Sequence, residues 1–308
     1  MSPSFPRRPH LVERAAEAAR AAMAGDTPLA RAPRPPLAPV QAVPTAVEVV
    51  VPPAPRSQSA GPPGRDEPAP ITYALLRRAG LVSEAGPARE EIALVREQVL
   101  RSVEVTPPAK ERQARLVVIT SARSGEGKSF AALNLAASIA EGTYRPVILV
   151  DAARGTASLT TLLGLHSAPG FDQLRDTGRL APAGVLRRTA IPGLFVLPHG
   201  TAEPPGAQGG AMAGLLHLAE RLPEHIILLD TPACLESSIA GLVAASAGQV
   251  ALVVEAERTK RAEVEAALDI LDACPTLQLL LNRSALRVSD RFGGRAPGAG
   301  EATVGAQA

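Results

Sequence analysis

The stretch RLVVITSARSGEGKSF, residues 115–130, decides the fold. A run of apolar, mostly β-branched residues passes straight into a Gly-rich turn that ends at a lysine. The run reads as a strand buried on both faces, and KSFAALNLAASIAEG after it reads as a helix. In a strand–loop–helix unit, successive loop N–H groups converge with the helix N-terminus on a single anion. Gly125 and Gly127 allow a close backbone approach. Ser124, Gly125, Glu126, Gly127, Lys128, Ser129 and Phe130 are therefore the expected phosphate contacts. Lys128 is expected to reach the β- and γ-phosphates, and the Ser129 hydroxyl to ligate Mg²⁺. Ala122 stands where the first glycine of the GxxxxGK[ST] pattern belongs.

The same alternation continues outward. Further strands read PVILVD, LFVLP, HIILLD, QVALVVE and LQLLLN, separated by helical stretches such as KRAEVEAALDILDAC. Six apolar strands joined by helices predict an α/β domain, a mostly parallel sheet sandwiched by helices, over residues 115–285. Residues 71–114 read as a helical lead-in, with Ile92, Val95 and Val99 at helical spacing. Residues 1–24 suggest a short Ala/Arg/Glu helix, and 25–70 a Pro/Ala-rich linker too poor in pattern to order itself. The tail, 286–308, is small, polar and Gly-rich and is expected to be disordered.

In a parallel sheet, ligands bind beyond the carboxyl ends of the strands. Asp151 ends the second predicted strand and Asp230 the fourth, so both carboxylates are expected on the edge that carries the Gly-rich loop. Asp230 suits a Mg²⁺ ligand, directly or through water. Asp151 is expected to polarise the attacking hydroxyl and to lie near the metal. An Asp at a strand end also serves as a helix cap, and that alternative stands. Asn282 and Arg283, after the last strand, are candidates for reading a purine ring or for making a turn.

Composition narrows the partners. The 308 residues carry a net charge of +2 and only 2% aromatics, which argues against nucleic acid. No apolar run reaches membrane-spanning length and the N-terminus lacks the apolar core of a signal peptide, so a cytoplasmic location is expected. Cys234 and Cys274 have no metal spacing and read as apolar fillers. Basic residues are nearly all Arg. The only lysines are Lys110, Lys128 and Lys260, so a compact ammonium inside the Gly-rich loop is not a compositional accident.

Together, TSARSGEGKSF, VILVDAARG, HIILLDTPA and GQVALVVEAERT resemble the bacterial tyrosine kinases and kinase-like ATPases of exopolysaccharide synthesis, nearest the exosortase-associated tyrosine autokinases. The resemblance covers roughly residues 84–295 and the short LVERAAEAAR near the N-terminus. It implies a deviant P-loop ATPase fold and ATP with Mg²⁺. It places Lys128 and Ser129 in the Walker A role, Asp151 in the Walker A′ role and Asp230 in the Walker B role. It implies two partners: a membrane chain-length regulator (co-polymerase), able to recruit the protein to the inner membrane, and further copies of the chain. Three departures stand out. Ala153 replaces a second aspartate, Ala93 replaces an arginine of the helix that packs subunits into rings, and the tail has no tyrosine. The only tyrosines are Tyr73 and Tyr144. Tyr144 precedes the second strand, far from its own nucleotide, and Tyr73 adjoins the linker, from which it either reaches an active site, its own or a neighbour's, or packs its ring as a helix residue. Three functions are compatible with these residues: an ATP-dependent autokinase, a nucleotide-gated regulatory subunit without efficient phosphotransfer, and, last, a positioning ATPase of the cell-division type.

Overall fold

The computed structural model describes residues 69–106, 112–143, 145–176, 182–201 and 208–284. The expected N-terminal helix, nearly all of the linker, the tail and Tyr144 lie outside these residues.

Seven strands form one sheet: β1 (Gln113–Ser121), β2 (Val147–Asp151), β3 (Arg187–Arg188), β4 (Leu194–Leu197), β5 (Ile226–Asp230), β6 (Ala247–Glu255) and β7 (Leu277–Asn282). Their order is β3-β4-β2-β5-β1-β6-β7. Every neighbouring pair is parallel except β3 with β4. Alternation of side chains across the pleat sorts the core in two. Leu116, Val118, Ile148, Val150, Ile227 and Leu229 face one side; Val117, Ile119, Leu149 and Leu228 face the other. Both sides are sealed by helices, which is why these strands read as continuous apolar runs. The sequence reading lacked β3. Two arginines on an antiparallel edge carry neither length nor apolar pattern.

The second face is covered by α1 (Tyr73–Arg78), α2 (Pro87–Val105) and α3 (Lys128–Thr143). Thr72 caps α1. Pro87 starts α2, with Glu90 in its first turn favourable to the helix dipole. Val99, Leu100 and Val103 of α2 are buried, and Arg89 pairs with Glu141 of α3 at 2.6 Å. Arg96 donates to the Ser138 carbonyl and hydroxyl. Ala132, Ala136 and Ala140 let α3 lie close on the sheet.

After β2 come the short α4 (Leu159–Leu162), a 3₁₀ turn (Phe171–Asp176) and α5 (Pro182–Val185). The first face is covered by α6 (Gln208–Arg221), α7 (Ile239–Ala244) and α8 (Arg261–Ile270). Helix α8 stops sooner than the sequence suggested. Leu271 takes the C-cap and the chain turns through Asp272–Cys274 to enter β7. Both cysteines are buried and free, and burial raises the Cys234 thiol to about 11, as suits a packing residue.

The crossover from β1 through α3 to β2 lies on one face, and that from β5 through α7 to β6 on the other. The two diverge at β1 and β5, and their carboxyl ends form the crevice where ligands of such sheets sit.

Candidate functional site

Residues 122–127 form the turn between β1 and α3, and α3 begins at Lys128. Gly125 and Gly127 have φ of +90° and +93°. Those are values that side chains with a Cβ rarely adopt. Ala122 is not among the residues with positive φ. Its methyl is buried in the core, so the absent first glycine leaves the turn intact.

The turn is braced from β6 and β7. Glu126 is buried, and its carboxylate accepts the Arg123 N–H at 3.0 Å and the Thr259 hydroxyl. The Glu126 carbonyl accepts Asn282 Nδ2 at 2.9 Å. Arg123 pairs with Glu263 at 2.7 Å, and Glu263 in turn caps α8 through the Lys260 N–H. A Cβ on Gly127 would sit 2.1 Å from Asn282 Nδ2. Gly127→Ala is expected to break that brace and impose backbone strain, a loss of about 2–4 kcal/mol in a denaturant titration. Wild-type stability in this variant would show that the turn is not held this way.

Asp230 ends β5 fully buried, in register with Ile119 of β1 and with Asp151 of β2. Neither of its carboxylate oxygens has a partner at hydrogen-bonding geometry, although the Ser129 hydroxyl stands close enough to favour the charged form. Burial, then the nearby Asp151 charge, lift its pKa to about 7, against the opposing pull of the Ser129 hydroxyl and the Lys128 ammonium. Lys128, Ser129, Asp151 and Asp230 thus converge at one sheet edge. An unpaired buried carboxylate costs free energy unless it is neutralised or meets a cation.

Asp151 is placed differently. Its Oδ1 accepts the Ala153 N–H at 3.0 Å and its Oδ2 the Thr160 N–H at 2.6 Å. Burial still raises its pKa, with those bonds opposing. The helix-capping alternative describes these contacts, and both oxygens are held by the backbone of their own loop. The remaining candidates also turn to structural work. Asn282 Oδ1 accepts the Arg283 N–H, so one donor and one acceptor of its amide are committed within the protein. Arg283, at φ +55°, pairs with Glu255 at 2.8 Å. Phe130 is partly exposed and lies against Gly80, while Asn134, one turn on, bonds Val82 N–H and the Gly80 carbonyl.

Sequence reasoning missed Glu236, whose carboxylate takes both the N–H and the hydroxyl of Ser124 at 2.9 and 2.6 Å. It also missed Thr259 and His199. The His199 N–H bonds Thr160 Oγ1, and its Nδ1 is buried without a partner. A lone polar residue in a connecting segment carries no periodic signal.

No family model matches the chain. It is 33% identical over 151 residues to the putative tyrosine-protein kinase EpsB of Ralstonia solanacearum, a match covering 48% of this chain and 20% of that protein. It is 26% identical over 177 residues to the tyrosine-protein kinase CpsD of Streptococcus agalactiae, covering 56% of this chain and 76% of the relative. The matched part is thus about a fifth of EpsB and about three quarters of CpsD. Among solved structures, the kinase domain of the Escherichia coli tyrosine kinase ETK superposes with a TM-score of 0.51 at 23% identity, covering 66% of this chain and 79% of that one. The chain is similar in part of its sequence to proteins named tyrosine-protein kinases, and its sheet and helices have the fold of a bacterial tyrosine kinase domain.

Proposed function

We propose that the protein is an ATP·Mg²⁺-dependent protein-tyrosine kinase acting in exopolysaccharide production. One observation carries the reading: the buried, unpartnered Asp230 carboxylate facing Lys128 and Ser129 at the glycine turn. A divalent cation supplies the missing partner of that carboxylate. Among the described residues no cluster of three or more His, Cys, Asp or Glu could hold a metal. In this reading the cation sits with the phosphates, and Ser129 and Asp230 would hold it. Bound nucleotide supplies the phosphoryl group. The N–H groups from Ser124 to Phe130 orient it, and Lys128 neutralises its charge. Asp151 shapes the edge and keeps the neighbouring loop in place. The similarity to proteins named tyrosine-protein kinases supports the acceptor class.

In the same reading the partners are a membrane chain-length regulator, which brings the protein to the inner membrane, and further copies of the chain. No helix among the described residues is long and apolar enough to cross a membrane.

The acceptor favoured within the chain is Tyr73, which is 45% exposed. It lines a cavity of about 230 Å³ with Asn134, Ala137 and Glu141 of α3. Asn134, Ala137 and Glu141 stand roughly 9–20 Å along the helix from Lys128, which sets the cavity along α3 to the side of the glycine turn. In this reading the phosphate comes to Tyr73 from another copy. Incubating a Tyr73→Phe chain with a Lys128→Ala chain and ATP·Mg²⁺ is expected to place phosphate on Tyr73 of the latter, read by phosphopeptide mass spectrometry. Label on Tyr144 alone would displace Tyr73. A chain that binds ATP yet labels no tyrosine, its own or a synthetic Glu/Tyr copolymer's, would be a nucleotide-gated regulator and not a kinase.

A further inference from the structure

We infer that Glu236 is a built-in occupant of the phosphate loop, a carboxylate that an incoming nucleotide phosphate must displace. The inference rests on the nucleotide reading above and adds a residue that tunes its affinity.

The geometry is that of an anion already bound. Ser124 lies inside the glycine turn. Its N–H donates to one Glu236 oxygen at 2.9 Å and its hydroxyl to the other at 2.6 Å. Loop N–H groups that bind phosphate bind a carboxylate by the same dipoles. Those two bonds, with Lys128 and Arg123 nearby, hold the Glu236 carboxyl below its usual range, so it is charged at neutral pH. Glu236 also lies in the segment between Asp230 and α7, so the carboxylate on the loop and the strand end that would meet the cation are joined by one short connection.

A phosphate arriving at the same donors brings negative charge against Glu236, and two anions on one set of N–H groups disfavour each other. One must leave. The loop is competent only in the fraction of molecules whose Glu236 has swung out, and the observed dissociation constant is the intrinsic one divided by that fraction. Glu236 and Ser124 are both exposed, so solvent weakens the contact. A charge-assisted pair of bonds at the low end of its range corresponds to roughly tenfold in affinity.

The alternative role is support. If the contact pre-forms the loop for its ligand, removing it weakens binding, so the sign decides. The full-length chain, Glu236→Gln and Glu236→Ala are titrated calorimetrically with ATP·Mg²⁺, with Lys128→Ala alongside. Association of a fluorescent ATP analogue is followed by stopped flow. Glu236→Ala is expected to bind roughly tenfold tighter with a faster association rate. Glu236→Gln, whose amide oxygen still accepts the Ser124 N–H, falls between. Wild-type or weaker affinity in both variants overturns the inference. If wild-type binding is lost in Lys128→Ala while Glu236→Ala is no tighter, the inference fails alone. If wild type and both Glu236 variants bind no ATP, the nucleotide reading fails and takes this one with it.

Discussion

Asp230→Asn is expected to abolish Mg²⁺-dependent nucleotide binding and, in the nucleotide-free protein above about pH 7, to raise the unfolding temperature. Both effects have one origin. The carboxyl is wholly buried, has no partner at hydrogen-bonding geometry and sits beside Asp151, and its pKa rises from 3.8 to about 7. A folded-state value above the unfolded one means that the folded protein holds a proton the unfolded chain releases. That stability is fully present below about pH 4 and is lost as pH climbs to about 7, beyond which the curve is flat. The full displacement corresponds to ~4 kcal/mol, an upper bound because Asp151 shares the same field. Asparagine keeps the shape and carries no charge, so its stability lacks this slope. At about pH 8 the variant should therefore melt several degrees higher than wild type, and near pH 4 the two should coincide. Mg²⁺ and ATP together should raise the melting temperature of wild type and leave the variant unmoved. Superimposable stability–pH profiles, or a variant that still binds Mg²⁺·ATP, would remove Asp230 from the site.

Lys128→Ala should weaken ATP binding by ~100-fold or more, into the range where calorimetry at ordinary concentrations reads no heat. Lys128 is half-buried at the first residue of α3, and its ammonium lies in the fields of Asp230 and Glu236. Removing one member of a desolvated charge pair costs about 2–5 kcal/mol, because the phosphates it met keep their charge. Lys128→Arg is the stricter test. A guanidinium carries the charge but not the compact head, so it should recover little of the binding. Full affinity in Lys128→Ala would refute the assignment of the glycine turn as a phosphate site, whatever its similarity in sequence. Circular dichroism should leave the fold unchanged in both variants, since the side chain contributes nothing to either core cluster.

The elements and their faces were legible in the chain. Runs such as LVVI (116–119) and IILL (226–229) are apolar at every position because both faces of their strands are covered, and a run of that kind means a sheet between helix layers. The turn after β1, the start of α3 at Lys128, and the two aspartates at strand ends were equally readable, since parallel strands must end on one edge. Arg187–Arg188 was not, because two charged residues gain strand geometry only by pairing with Phe195 and Val196 of β4.

Residue type and spacing therefore determined which local structures form and which polar groups reach the carboxyl edge. What those groups do there was decided by tertiary structure. The order of strands brings Thr259 and Asn282 to the glycine turn, and swings Glu236 onto Ser124. Asp151 and Asp230 look alike in sequence, but the loop after β2 folds back to give Asp151 two N–H groups, while Asp230 receives none. Periodicity encodes the face a side chain takes from its own backbone. It holds no record of which distant segment arrives beside it, and a carboxylate's charge, partners and pKa are properties of that arrival.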